Sequence, residues 1–307
     1  MTNWKKKRND LLVSGADATA KRYAKANGEA VEGTLAGRGP DDTEAKATAG
    51  ARVVFNIPCV HVAAFVASSI QGDPKPYKNG YDLGKLRVGE PPPGESLGRR
   101  ERVDRSLPLP DGAEPGGIYF AAVELNGTGI RFYGDYCLVL RGSEIAADTV
   151  VLYRNSYDLI RSPIREEIEE AVRQGSTVEE AMRAAAAELK GTWKEDLAAM
   201  ATVKMLREAD PSDRRMTTGA ISDGLLSDED YLEVLYCKSF RAEDLQEVRC
   251  SAADAAEDAL ISDRWRVGPC PALEALVWQE NRRKAEQFLN HVGVPIQIIT
   301  TTGRVRS

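Results

Sequence analysis

The stretch Gly117–Leu140, GIYFAAVELNGTGIRFYGDYCLVL, decides the fold class. Two β-prone runs, Gly117–Leu125 and Ile130–Leu140, flank Asn126-Gly127. Both turn residues tolerate positive φ, so the pattern predicts a hairpin. Gly134 interrupts the second run and reads as a bulge. Upstream, Arg52–Phe55 predicts a short strand, and downstream Thr149–Tyr153 predicts a third. Short strands joined by turn residues point to antiparallel pairing rather than to a βαβ array.

Working outward, the period changes on both sides of this block. Residues 14–31 and the apolar run Cys59–Ile70 predict helices, with a loop at 33–50 between them. A long Pro- and Gly-rich segment then carries GDPKPYKNGYDLG and Pro91-Pro92-Pro93. Irregular segments of more than about 15 residues in compact domains tend to serve function or stay disordered. Past the block, Ile164, Ile168 and Val172 fall at helical spacing, with Gly175 as the stop. Ser176 with Glu179 reads as a capping box for a second helix. Trp193, Leu197, Met200 and Leu206 mark a third, closed by Asp210-Pro211. Tyr231–Cys237 and Glu247–Cys250 then predict strands, Ser239–Leu245 a single helical turn, Pro271–Val292 an amphipathic helix and Val294–Thr301 a closing strand.

The expected architecture is α+β, with a mixed or mainly antiparallel core sheet and a helical insertion. The expected divisions are an N-terminal helical and loop segment (1–50), the first part of a β-rich core (51–161), the insertion (162–222), and the second part of the core with a C-terminal helix and strand (223–307).

The chain has 307 residues, a net charge of −6 and a pI near 5.3, which argues against gripping a nucleic-acid backbone as its main task. Arg99, Arg100, Arg102 and Arg105 form a local basic cluster that leaves a nucleic-acid contact open, although such runs are usually solvated. Five cysteines without zinc-type spacing suit a reduced, cytoplasmic protein, and Cys137 and Cys237 lie in apolar runs. No stretch has the roughly 20 apolar residues of a membrane span, and the basic N-terminus lacks the apolar core of a signal peptide, so export would need a dedicated system.

Phosphate-loop, dinucleotide-binding, Gly-x-Ser-x-Gly and His-Glu-x-x-His motifs are absent. Of two histidines, His291 ends a predicted helix, where it complements the helix dipole. His61 opens an apolar run, either as a hydrogen-bonded core residue or as a pocket residue. Glu233 shares a strand face with Leu235 and Cys237. A carboxylate there faces water on an edge strand, is paired, or is kept for a purpose.

Taken together, Val60-His61-Val62, the aromatic block Ile118-Tyr119-Phe120 with Arg131-Phe132-Tyr133-Gly134-Asp135, and Leu232-Glu233-Val234-Leu235 followed by a turn and a strand resemble the ADP-ribosyltransferase superfamily of bacterial toxins and effectors. Their order, His, Tyr, Glu, is that of one branch. The chain lacks that superfamily's Ser-Thr-Ser signature and the Gln/Glu-x-Glu spacing before Glu233. A run at Arg283–Leu289 resembles another branch and makes Glu286 a rival acid. The resemblance implies NAD as substrate, Glu233 as the catalytic acid, and NAD contacts from His61, Tyr119, Arg131, Tyr133 and Asp135, with Gly134 admitting close backbone approach. It implies transfer of ADP-ribose to a macromolecular acceptor, protein or nucleic acid, with no metal. Two other readings stand beside it: a non-catalytic interaction protein in which these side chains are scattered, and a carboxylate-metal nuclease or phosphatase using Asp135, Asp158 and Glu233.

Overall fold

The computed structural model describes residues 2–14, 17–38, 50–87, 97–208, 216–226, 230–268 and 270–300. Pro91–Pro93 and Asp210-Pro211 lie outside them. The fold is α+β, built on one eight-stranded, mostly antiparallel sheet. Its strands are β1 (Arg52–Ile57), β2 (Tyr119–Glu124), β3 (Tyr136–Leu140), β4 (Val150–Leu152), β5 (Lys190–Thr192), β6 (Glu233–Tyr236), β7 (Leu245–Ser251) and β8 (Ile296–Ile299). They lie in the order β5-β4-β6-β2-β1-β3-β7-β8, and only β7 with β8 runs parallel.

This order overturns the hairpin predicted for Gly117–Leu140, because β1 lies between β2 and β3. The physical reason is Asn56 of β1. Its side chain takes over the turn's backbone groups, accepting from the Ile130 N–H at 2.7 Å and donating to the carbonyls of Thr128 and Gly134 at 2.9 and 3.0 Å. Glu124 at the end of β2 accepts from the N–H groups of Leu125 and Gly129. The connecting chain is thereby laced to β1 and not folded back on β2. Gly134 is not a bulge either. Arg131–Tyr133 forms a 3-10 turn, and the strand begins only at Tyr136.

Alternation along the strands gives the sheet two buried faces. Val53, Phe55, Val123, Leu138, Val151 and Val234 point to the larger core. That core is completed by α3 (Cys59–Ile70), α10 (Leu273–His291), α2 (Ala18–Leu35) and α7 (Leu197–Glu208). On the other face, Val150, Leu152 and Leu235 pack against α4 (Arg99–Ser106), α5 (Ile164–Arg173) and α6 (Val178–Leu189) through Val103, Ile168 and Met182. The N-terminal helix α1 (Asn3–Val13) is pinned by Trp4. Its ring stacks 4.8 Å from Tyr153 and its Nε1 donates to the Lys190 carbonyl at 2.6 Å. The basic start of the chain thus belongs to a docked helix.

Segment 162–222 is not wholly helical. β5 lies within it and pairs with β4, and Trp193 precedes α7 rather than belonging to it. The capping box of α6 is Thr177 with Glu180, one residue later than expected, because Thr177 is the residue with extended backbone at the helix entrance. α8 (Thr218–Leu225) and α9 (Ala252–Val267) complete the helices among the described residues.

Candidate functional site

The ladder between β1 and β2 runs from Arg52↔Glu124 to Val54↔Ala122 and stops. Beyond that point β1 stays paired to β3 through Ile57, and β2 stays paired to β6 through Tyr119. Two neighbouring strands, each held on its outer side, therefore part from one another. A cavity of about 730 Å³ lies at the opening. It is bordered by Val54, Asn56 and Ile57 on one side and by Tyr119–Ala122 on the other. This volume falls within the usual range of small-ligand sites.

Four of the residues singled out in the sequence line this cavity: His61, Tyr119, Tyr133 and Glu233. His61 is exposed in the first turn of α3, which starts where β1 ends. Tyr133 stands half exposed on the 3-10 turn, edge-on to Phe132 at 5.2 Å. Tyr119 is buried, with its hydroxyl 3.3 Å from Oδ2 of Asp82.

Glu233 is 2% exposed. β6 is an interior strand, flanked by β2 and β4, so the reading of Glu233 as a solvent-facing edge residue does not hold. One carboxylate oxygen accepts from the Ser156 N–H at 2.8 Å and the other lies 3.4 Å from the Tyr231 hydroxyl. Burial pushes its pKa up, and the Arg100 guanidinium and the Ser156 N–H offset only part of that.

Arg131 and Asp135 are not on the cavity wall. Arg131 pairs with Asp254 at 2.5 Å. Asp135 caps the start of α3, accepting from the Cys59 N–H at 2.7 Å, and also accepts from Trp278 Nε1 at 3.2 Å. Gly134 admits a close approach, but to protein. A Cβ there would sit 2.1 Å from the Ile57 carbonyl carbon and 2.4 Å from the Pro58 nitrogen. Asp135 and Gly134 thus build the β1–α3 junction that presents His61, while Arg131 is tied to Asp254 in the helix that follows β7. Glu286 lies on α10 beside Arg282, at 3.9 Å, and is not on the cavity wall.

Asp135 and Asp158 are likewise off the wall that carries Glu233, so the three carboxylates of the metal reading are not assembled. Among the described residues no group of three His, Cys, Asp or Glu side chains is placed to hold a metal ion. Nor does any described helix have the length and apolarity to cross a membrane.

Several lining residues were not anticipated. The Pro-rich segment after α3 folds over the cavity and supplies Tyr77, Lys78, Tyr81 and Lys85. It is fastened by Asn79, whose Nδ2 donates to the Gly116 and Ile118 carbonyls at 2.9 and 3.0 Å. Arg100 of the basic cluster also faces the cavity, so the run Arg99–Arg105 is not one solvated stripe; Arg99 and Arg102 are the exposed members. In all, six of the ten tyrosines and two of the six phenylalanines line this cavity, and among the described residues Glu233 is the one acid on it.

No family model matches the chain, and no curated protein or solved structure matches it either. Its chemistry is read from the cavity itself.

Proposed function

We propose that this cavity binds NAD and that the chain cleaves the nicotinamide–ribose bond, passing ADP-ribose to a macromolecular acceptor. The observation that supports this most is the meeting of His61, Tyr133 and Glu233 at one opening in the sheet. A buried carboxylate among aromatic walls suits a planar cation. Ring faces attract positive charge, and a carboxylate in a water-poor site does so more strongly. The oxidised nicotinamide ring is such a cation.

In the reaction the glycosidic C–N bond breaks and its electron pair leaves with nicotinamide, which departs neutral. Positive charge passes to the ribose ring, as in glycoside cleavage. Glu233 stabilises that charge electrostatically, with one oxygen already fixed by the Ser156 N–H. A nucleophile of the acceptor then donates its pair to the anomeric carbon and loses a proton. His61, exposed at the rim, hydrogen-bonds a ribose hydroxyl in this reading.

The test is incubation of the full chain with labelled NAD and a cell lysate, beside Glu233→Gln. Label transferred and nicotinamide released by the parent, and neither by the variant, is the expected result. Equal labelling by both would remove Glu233 from the reaction, and no label and no nicotinamide from either would remove the activity.

A further inference from the structure

The cavity holds a second fixed charge whose bonding is incomplete. The Arg100 guanidinium lies over the ring of Phe120, 3.8 Å from its centroid, and 5.0 Å from that of Tyr157. Its Nε lies 2.7 Å from Asp104 Oδ1 in an ion pair, and that oxygen accepts no hydrogen bond. The other oxygen of that fully buried aspartate accepts from the Tyr81 hydroxyl at 2.7 Å. The group is therefore fixed in plane and in direction by a helix turn, two rings and the covering segment. Yet its Nη2 is buried without a hydrogen-bond partner, and Glu233 makes no ion pair with it although both line the cavity. Arginine cannot shed its charge to relieve this, and an unmade bond on a buried charged donor is costly.

We infer that Arg100 is the residue through which the cavity takes a phosphate oxygen of its ligand, with Asp104 and Tyr81 as the positioning residues that hold it. Guanidinium N–H groups suit phosphate oxygens in geometry and charge. Lys78 and Lys85 on the same wall add positive charge, and Lys78 is partly engaged by Asp73 at 2.8 Å. Glu233 repels an anion, so the phosphate sits toward Arg100 and away from the carboxylate. A wall with a carboxyl group at one place and a fixed cation at another complements a dipolar ligand, a cationic ring joined to a phosphate. This rests on the nicotinamide reading above and adds to it which residue takes the phosphate.

The experiment is calorimetric titration of the full chain with nicotinamide mononucleotide and with nicotinamide riboside, which differ only by the phosphate. The parent should prefer the mononucleotide. Arg100→Gln should lose about tenfold or more in affinity for the mononucleotide and keep its affinity for the riboside. Tyr81→Phe, which removes only the hydroxyl that donates to Asp104, should lose part of the same preference for the mononucleotide and leave riboside affinity unchanged. Equal affinity of the parent for both ligands, or equal loss on both in Arg100→Gln, would overturn the inference. If Arg100→Gln does not fold, a Tyr81→Phe variant that keeps the full preference overturns it. Phosphate-dependent binding through Arg100 without release of nicotinamide from NAD would sink the proposed reaction and leave this inference standing. Release of nicotinamide from NAD with no phosphate preference would do the reverse. Failure of the parent to bind either compound overturns both.

Discussion

The Tyr231 hydroxyl lies 3.4 Å from Oε1 of Glu233, and Tyr133 lines the same cavity as both. One phenol thus stands beside the buried acid. Donation to a carboxylate favours its ionised form, so Tyr231→Phe should raise the Glu233 pKa further. The acid limb of the pH–rate profile should move to higher pH, with a roughly tenfold fall in kcat, within the range of a lost charge-assisted hydrogen bond. An unmoved limb would show that this hydroxyl does not act on Glu233.

Glu233→Gln keeps shape and removes charge. Nicotinamide release should fall by roughly 100-fold or more, the scale of losing a preorganised electrostatic contact. Thermal stability near neutral pH should hold or rise, because a charge is no longer buried. Steady-state kinetics and a melting curve on the same preparation check both.

Stability should also depend on pH with a sign set by this residue. Burial raises the Glu233 pKa in the folded chain, so the folded state keeps its proton to higher pH than the unfolded state does. Its contribution is then fullest below the ordinary glutamate value, about 4.3, and is lost as pH rises through the raised value. Urea midpoints across that window should change less with pH in Glu233→Gln. Identical slopes would assign the effect to Asp104, Asp158 and Asp254, whose pKa values burial also raises.

Gly134→Ala should destabilise by roughly 1–3 kcal/mol or more, as overpacking against unyielding atoms does. The contacts are backbone atoms of Ile57 and Pro58, which have no rotamer to change. Denaturant midpoints give the loss. A neutral outcome would mean that β1 and the 3-10 turn are not locked together.

Asp135→Ala should cost roughly 1–3 kcal/mol, since it strips an acceptor from the Cys59 N–H and from Trp278. Asp135→Asn, which retains an acceptor oxygen, should recover part of that. Neither should alter the affinity of the folded protein for nicotinamide mononucleotide, the measurement that separates a junction residue from a ligand contact.

Much of the fold was legible because burial imposes a period. Cys59–Ile70 is α3 to the residue, and Glu233 sits in a strand as its alternation with Leu235 requires. The strand order was not legible. Asn126-Gly127 carries the local chemistry of a hairpin, and what defeats it is one distant amide, Asn56, on a strand some 70 residues earlier. β5 was hidden because Lys190–Thr192 is only three residues long and has no apolar alternation. Arg100 was hidden in a charged helix whose one hint was its spacing of four from Asp104 around buried Val103. The tyrosines of the Pro-rich segment gave no periodic signal, since a loop places side chains by tertiary anchors such as Asn79.

The parting of β1 from β2 has a consequence for how a guest would be received. Each strand keeps its full complement of bonds to its outer neighbour along the gap, so the slot is propped open by the sheet and needs no guest to open it. Admission should then demand little ordering of the main chain, and that saving goes directly into affinity.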